Sequence, residues 1–310
     1  MARVIHVLTG CTAVGKTGLA LRWAGANAAE IISCDSLLFY RGMDLGTAKP
    51  APEERARVRH HLVDICGVRD QMNISYYITH ARQALEGIFA RGRAVLVTGG
   101  SGFYLKAFLA PVADEVEVDD AVRQKVEEKL QREGLPALVA ELAKLNPAGL
   151  GTLDAQNPRR VTRALERCLI TGRTLAELKD EFAAAPSAFA DCEIKLTELT
   201  REKDDLDRRI EVRVQEMLRA GLVDEVRRLL PLGLKDNPSA ARAIGYRETI
   251  DFLEGRLAES ELAPAIIKNT RALVKKQRTW FKTQLPPHRT VPAATAEVSG
   301  LFGDNGSSPV

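Results

Sequence analysis

Residues 10–17 have the composition and spacing of a phosphate-binding loop, with two glycines, a lysine and a threonine in fixed positions. In such a loop the backbone N–H groups and the lysine ammonium contact phosphate oxygens, and the threonine hydroxyl can ligate Mg²⁺. A chance match is the alternative. The apolar run Val4–Leu8 before the loop and a helical pattern after it favour a genuine site for a di- or triphosphate.

Two further candidate site segments follow apolar runs that are predicted to be strands. Asp35 and Ser36 come after the run Glu30–Cys34, and the sequence Gly99-Gly100-Ser101 comes after Ala94–Val97. Ligands of open parallel sheets bind beyond the carboxyl ends of the strands, so these segments and the phosphate loop are predicted to converge. Asp35 is then placed to accept a proton as a general base. A turn cap at Asp35 and a plain tight turn at the glycines are the alternatives.

Several chemistries are disfavoured by the sequence. Nucleotide hydrolysis usually needs an acidic residue at the end of an apolar strand to hold magnesium, whereas Ala94–Val97 runs into threonine and glycine. The adjacent His60 and His61 point to opposite faces of a strand, which indicates a structural pair rather than a metal site. The five cysteines are scattered without a C-x-x-C pair, so reduced thiols are expected.

Basic residues form two clusters. Arg159, Arg160 and Arg163 lie close together at the start of a predicted helix, and Arg167 continues the same ridge. The segment 268–282 contains six lysines or arginines and no acid, with Trp280 and Phe281 among them. Such clusters suit phosphate contact and base stacking of a nucleic acid, although a solvated helix face is the alternative.

The pattern of elements indicates how these residues are positioned. Strands and helices alternate over residues 1–113, the pattern is wholly helical over 114–191, and residues 192–285 return to the core and end in the basic helix. We therefore predict an α/β fold, a P-loop parallel-sheet core with an inserted all-helical domain. Proline, alanine, glycine and serine dominate residues 286–310, which predicts a loose tail.

Composition restricts the class of protein. The chain has 310 residues, of which 45% are hydrophobic and 27% charged, with a net charge of +3. It has no apolar run of about 20 residues and no signal-peptide pattern, which predicts a cytoplasmic protein without a membrane segment. The small net charge means that any polyanion site depends on local clustering. We expect a monomer.

The ordered set of motifs is similar to that of the bacterial tRNA dimethylallyltransferases, also called tRNA isopentenyltransferases. The resemblance covers roughly residues 3–283 and includes many specific segments in order. Besides the phosphate loop, it is carried by residues 32–50, His60–Asp64, Gly99–Tyr104, Asn157–Glu166, Arg209-Ile210 with Arg213, Ala243–Glu248 and Lys276–Trp280.

The resemblance implies that dimethylallyl diphosphate donates its five-carbon group to N6 of the adenosine next to the anticodon of a tRNA. Asp35 would be the base, Mg²⁺ would bind near Thr17, and Ser101 would lie near the reacting groups, where the family more often has threonine. The catalytic set is Asp35, Lys16, Thr17, Ser101 and Arg209. The diphosphate would be bound by Gly10, Cys11, Thr12, Ala13, Val14, Gly15, Lys16, Thr17 and Arg213.

The resemblance also implies a set of contacts to the tRNA anticodon stem-loop, drawn from six places in the chain. They are Asp35, Ser36, Leu37, Leu38, Ser101, Arg123, Arg159, Arg160, Val161, Thr162, Arg163, Arg242, Gly245, Tyr246, Arg247, Lys275, Lys276, Arg278, Trp280 and Lys282. Because an anticodon loop is single-stranded, its bases can be splayed out at small cost.

Three other functions stay open at the level of sequence. A small-molecule or nucleotide kinase shares the phosphate loop and the sheet but needs arginines directed at a γ-phosphate. An adenylate isopentenyltransferase would have little use for a helical insertion and a basic C-terminal helix. A non-catalytic RNA-binding module would not require Lys16, Thr17 and Asp35 together.

Overall fold

The computed structural model describes residues 3–112, 116 and 118–303. The chain divides into two compact units. The first, the sheet unit, comprises Met1–Ala110 and Ser187–Val310, and the second, the helical unit, comprises Pro111–Pro186. No helix in the described ranges is both long and apolar enough to cross a membrane.

The sheet unit is built on six parallel strands within the described residues. They are β1 (Val4–Gly10), β2 (Ala29–Ser33), β3 (His60–His61), β4 (Ala94–Thr98), β5 (Glu193–Thr200) and β6 (Arg289–Pro292). Their order is β3-β2-β4-β1-β5-β6, and every adjacent pair is parallel. The predicted parallel sheet is thereby confirmed, and the carboxyl ends of β1, β2, β4 and β5 lie at one edge.

The described helices follow in chain order. They are α1 (Lys16–Ala26), α2 (Pro52–Arg57), α3 (Ile74–Ala90), α4 (Gly102–Lys106), α5 (Asp120–Glu133), α6 (Leu135–Leu145), α7 (Pro158–Thr171), α8 (Leu175–Ala184), α9 (Lys203–Arg219), α10 (Leu222–Leu229), α11 (Pro238–Ala241), α12 (Tyr246–Leu253) and α13 (Glu259–Gln284). The sequence pattern predicts one helix over 240–253. The structure has two, because the backbone at Gly245 takes a φ of 93°, which helices do not allow.

The central strands are buried on both faces, as parallel strands covered by helices require. Ile5, Leu8, Ile31, Val95 and Leu96 are fully buried. On one face the helix α1 covers the sheet with Leu19, Ala20, Trp23 and Ala24. This core fixes the relative positions of the loops that leave the strand ends.

The predicted loose tail is wrong for residues 289–303. Arg289 is in register with Thr197, so β6 extends the sheet beyond β5. Leu301 is fully buried, and its carbonyl oxygen accepts a 2.7 Å hydrogen bond from the Thr197 hydroxyl. The Phe302 ring lies 5.0 Å from that of Trp23. A few apolar residues spaced among small ones are enough to cover the sheet edge, which composition alone does not reveal; residues 304–310 lie outside the described residues.

The helical unit has its own core. Helices α5, α6, α7 and α8 pack around Val126, Leu138, Leu142, Val161 and Leu165. The sequence predicts bounds of 114–191, whereas the compact unit ends at Pro186. Residues 187–191 belong to the sheet unit, where the Phe189 ring stacks on Phe108 at 4.3 Å. At the other end, residues 113–115 and 117 lie outside the described ranges.

Candidate active site

The phosphate loop joins the end of β1 to the start of α1. Gly10, Ala13 and Gly15 have φ values of 146°, 64° and 111°, so the loop departs from ordinary backbone at three positions. Alternating right- and left-handed residues turn successive N–H groups inward and form a concave anion site. Strain of this kind at a non-glycine residue persists where surrounding contacts hold it. Thr17 is exposed in the first turn of α1.

The Lys16 side chain folds back over this loop. Its Nζ atom donates hydrogen bonds to the carbonyl oxygens of Gly10, at 2.7 Å, and Cys11, at 2.8 Å. Burial lowers the pKa of Lys16 to about 8, and the charge of Asp35 opposes that shift. The negative charge of the Asp35 carboxylate therefore stabilises the charged form of Lys16.

Asp35 is held at the same sheet edge by a close backbone approach. A Cβ atom at Gly99 would lie 2.0 Å from the carbonyl oxygen of Cys34, so only glycine fits there. The Ser101 N–H donates to that same carbonyl at 3.4 Å. The Asp35 carboxylate accepts a hydrogen bond from the Leu37 N–H at 3.1 Å, which is the turn cap considered as an alternative. The segments of Asp35 and Ser101 are thus brought together after β2 and β4.

Arginines border the phosphate loop from the side of α9. The Arg209 Nε donates to the Ala13 carbonyl at 2.8 Å. Arg213 is half-buried, and the resulting desolvation lowers the pKa of its guanidinium, while the Asp35 charge raises it. Its Nη2 lies 3.4 Å from the Thr47 carbonyl oxygen. Positive charge therefore surrounds the loop and faces Asp35.

Sequence reasoning missed two residues of this site. The Arg201 Nε donates to the Val14 carbonyl at 3.0 Å, and Gln277 contacts both the phosphate loop and the turn after β4. The position of Arg201 directly after β5, at the carboxyl edge of the sheet, was an available signal. Gln277 lies in the segment Lys276–Trp280 that carries the family resemblance, but nothing in the local sequence indicates which residues its uncharged side chain contacts.

The helix α13 lies against the turn after β4. A Cβ atom at Gly102 would lie 2.5 Å from the indole ring of Trp280, so the ring packs directly on this glycine. Arg278 donates from Nη2 to the Arg201 carbonyl at 2.8 Å. Lys275, Lys276 and Lys282 are exposed and have no ion-pair partner among the residues that the structure describes.

Three residues predicted to contact RNA are buried, and this assignment is corrected. Tyr246 is fully buried, and its hydroxyl donates a 2.6 Å hydrogen bond to Glu225. Gly245 is buried beside it and donates its N–H to Glu248 at 2.7 Å. Val161 is fully buried in the core of the helical unit. These residues serve packing and local hydrogen bonding, and motif position alone does not separate such a role from contact with RNA.

The remaining RNA candidates are accessible. Ser36, Leu37 and Leu38 are half-buried next to Asp35, and Arg242 is exposed while Arg247 is paired with Glu248. In the helical unit Thr162 is half-buried, and the arginine side chains are exposed. Of these arginines Arg163 contacts Glu166 and Arg123 contacts Asp120, whereas Arg159 and Arg160 have no ion pair to a described residue.

The site offers few protein ligands for a metal. No cluster of three or more acidic, histidine or cysteine side chains suited to a metal ion occurs in the described part of the chain. His61 contacts Glu30 at 2.6 Å and His60 contacts the Val58 carbonyl, in keeping with structural roles. Magnesium bound with a diphosphate keeps several waters and needs only one or two protein oxygens. The exposed Thr17 hydroxyl fits that requirement.

Comparisons with known proteins show the family of the chain. The model of the family IPPT, IPP transferase, matches residues 38–284. A tRNA dimethylallyltransferase of Opitutus terrae is 64% identical over 299 residues, 96% of each chain, and one of Deinococcus radiodurans is 38% identical over 99% of each.

Solved structures resemble the fold. The full-length tRNA isopentenylpyrophosphate transferase of Bacillus halodurans has a TM-score of 0.67 at 32% identity, covering 94% of this chain and 90% of its own. A eukaryotic dimethylallyltransferase acting on tRNA has a TM-score of 0.83 at 23% identity, covering 94% and 74%, and shows the likeness of fold alone. The family match over most of the chain and the high identities together show that this chain belongs to the IPP transferase family.

Proposed function

We propose that this protein transfers the dimethylallyl group of dimethylallyl diphosphate to N6 of the adenosine 3′-adjacent to the anticodon in tRNA, and releases diphosphate. One observation carries the proposal. The phosphate loop with Lys16 follows β1 and Asp35 follows β2 at the carboxyl edge of one parallel sheet, so a loop suited to an anionic leaving group and a candidate proton acceptor lie at the same edge. The relatives named as tRNA dimethylallyltransferases support it.

The leaving group requires stabilisation of negative charge. As the allylic C–O bond breaks, charge develops on the diphosphate, and fixed donors directed at it lower the barrier. Lys16, the loop N–H groups, Arg209 and Arg213 supply that positive field. Lys16 would exchange its contacts with the Gly10 and Cys11 carbonyls for phosphate oxygens. Mg²⁺ held at Thr17, when bound, would neutralise further charge on the diphosphate.

The nucleophile requires loss of a proton. The lone pair of the adenine amine is delocalised into the ring, so the C–N bond forms more readily when a base removes an N6 proton. Asp35 accepts that proton, because the cap at the Leu37 N–H uses only one of its two carboxylate oxygens. The target base leaves its stack and lies beside Ser36, Leu37 and Leu38, with Ser101 near the reacting groups.

The RNA is held by exposed basic side chains. Lys275, Lys276, Arg278 and Lys282 on α13 and Arg242 contact phosphates on the sheet unit. On the helical unit Arg123, Arg159, Arg160 and Arg163 do the same. The enzyme would act as a monomer. Prenylation would then depend on salt through these phosphate contacts.

The decisive experiment supplies labelled dimethylallyl diphosphate and an unmodified tRNA, followed by digestion and localisation of the label. We expect the label on the adenosine next to the anticodon, and none when that adenosine is replaced by guanosine or when Lys16→Ala is used. A parallel incubation with γ-labelled ATP tests the kinase alternative. Label on another nucleotide, or phosphate transfer instead of prenyl transfer, would contradict the proposal.

A further inference from the structure

A glutamine on the basic helix joins two loops of the active site. The Oε1 of Gln277 accepts a hydrogen bond from the Thr12 N–H at 2.9 Å, and its Nε2 donates to the Gly100 carbonyl at 2.9 Å. Thr12 lies in the phosphate loop after β1, and Gly100 lies in the turn after β4. One half-buried side chain therefore spans the two strand ends.

The two bonds use both halves of the amide. Glutamine carries an acceptor and a donor at the same distance from the backbone, which no charged side chain of α13 offers. The acceptor fixes one N–H of the phosphate loop, and the donor fixes the carbonyl that precedes Ser101. Both polar atoms of the Gln277 side chain are bonded to these loops and not directed at a substrate. Gln277 therefore affects a bound ligand by fixing the positions of the two loops.

The residues next to Gln277 on α13 behave differently. Lys275 and Lys276 are exposed and have no ion-pair partner among the described residues, whereas Arg278, also exposed, donates a hydrogen bond to the Arg201 carbonyl. The helix thus has an outward charged face and an inward face that contacts loops at the ends of β1, β4 and β5. The basic segment 268–282 therefore contains exposed lysines that are available to RNA and other residues that contact the active-site loops.

We propose that Gln277 is a positioning residue for the diphosphate site and not an RNA contact. It sets the separation between the phosphate loop and the Gly100–Ser101 turn, and with it the distance between the leaving group and the hydroxyl of Ser101. This inference rests on the proposed function for the identity of the substrate. The underlying claim, that Gln277 maintains a pyrophosphate-binding loop, can be measured without prenyl transfer.

The test compares the wild-type protein with Gln277→Met, which keeps the length of the side chain and removes both hydrogen bonds. Loss of two bonds of ordinary strength predicts an increase of about tenfold in the KM for dimethylallyl diphosphate and in the dissociation constant of inorganic pyrophosphate, measured by calorimetry. The KM and dissociation constant for tRNA stay within about twofold, as for surface changes. Lys276→Met, the matched control on the adjacent residue, raises the KM and the dissociation constant for tRNA and leaves those for dimethylallyl diphosphate and pyrophosphate nearly unchanged.

A purely structural role for Gln277 would give a different result. Partial unfolding lowers the concentration of active enzyme, and hence kcat, while both KM values stay constant. Gln277→Glu is the second variant, because it keeps the acceptor for the Thr12 N–H, removes the donor to Gly100 and adds a negative charge near the loop. Its KM for the diphosphate rises at least as much as that of Gln277→Met.

Several outcomes would overturn the inference. The first is that the wild-type protein and both variants bind pyrophosphate equally well, or that none of them binds it. The second is that Gln277→Met loses as much affinity for tRNA as for the diphosphate. A wild-type protein that does not prenylate tRNA would contradict the proposed function instead. In that case the pyrophosphate comparison still decides the role of Gln277.

Discussion

The Oδ1 atom of Asp35 accepts a hydrogen bond of 3.1 Å from the backbone N–H of Leu37. This bond caps the turn after β2 and at the same time fixes the orientation of the carboxylate. A turn cap and a general base are therefore compatible roles for Asp35, because the cap uses one oxygen. The Asp35 charge raises the pKa values of Lys16 and Arg213, against the effect of burial.

Replacement of Asp35 by asparagine separates these roles. Asparagine keeps an oxygen for the Leu37 N–H but cannot accept a proton, so we expect single-turnover prenyl transfer to fall by about 10² to 10⁴. The tRNA dissociation constant stays nearly unchanged. Asp35→Ala removes the cap as well and should lose at least as much activity. A D35N rate within tenfold of the wild-type rate would exclude Asp35 as the base.

The lowered pKa of Lys16 predicts a pH dependence. Burial lowers that pKa to about 8, so the side chain is charged below pH 8 and neutral above it in the free enzyme. A neutral amine stabilises the diphosphate less, so kcat/KM for dimethylallyl diphosphate falls as pH rises above about 8. Lys16→Arg, whose guanidinium stays charged, is less active but lacks this decline. A wild-type profile that is flat from pH 7 to 10 would contradict the assignment.

Part of the site could be predicted from sequence and part could not, for physical reasons. The phosphate loop and the residues after β2 and β4 are local patterns, and the parallel sheet brings them to one edge. Gln277 reaches that edge through hydrogen bonds to Thr12 and Gly100, which are more than 170 residues distant in sequence. No local periodicity encodes such contacts. Leu301 was missed for the same reason, since its burial depends on a distant sheet edge.

Tyr246 illustrates the opposite error, in which a motif residue is assigned to a ligand and proves to be structural. Its hydroxyl donates to Glu225, whose carboxylate also accepts the N–H groups of Asp44 and Leu45 at 3.1 and 2.8 Å. Burial and the Glu225 charge raise the pKa of Tyr246, so the phenol remains a donor. This cluster holds the loop whose Thr47 carbonyl contacts Arg213.

Tyr246→Phe therefore tests a structural role. Removing the hydroxyl leaves the buried Glu225 carboxylate without one donor, which lowers the free energy of unfolding by about 1–3 kcal/mol. Urea unfolding measures this loss, and the tRNA dissociation constant stays within about twofold. Tyr76→Phe, on an exposed side chain, is the matched control with little effect on either quantity. A large loss of tRNA affinity at full stability would restore Tyr246 as an RNA contact.

The arginines of the helical unit are tested through salt dependence. Arg160 is exposed at the start of α7 and has no ion-pair partner in the described ranges, so its guanidinium is available to a phosphate. Each phosphate contact contributes about 0.7 to 0.9 to the slope of log affinity against log salt concentration, and Arg160→Ala should reduce the slope by about that amount. Filter binding over a salt series measures it. Affinity for pyrophosphate is unaffected.

Arg132→Ala, which removes an exposed arginine already paired with Glu133, is the control and should leave the slope nearly constant. Equal slopes for the wild-type protein and Arg160→Ala would remove this residue from the RNA interface.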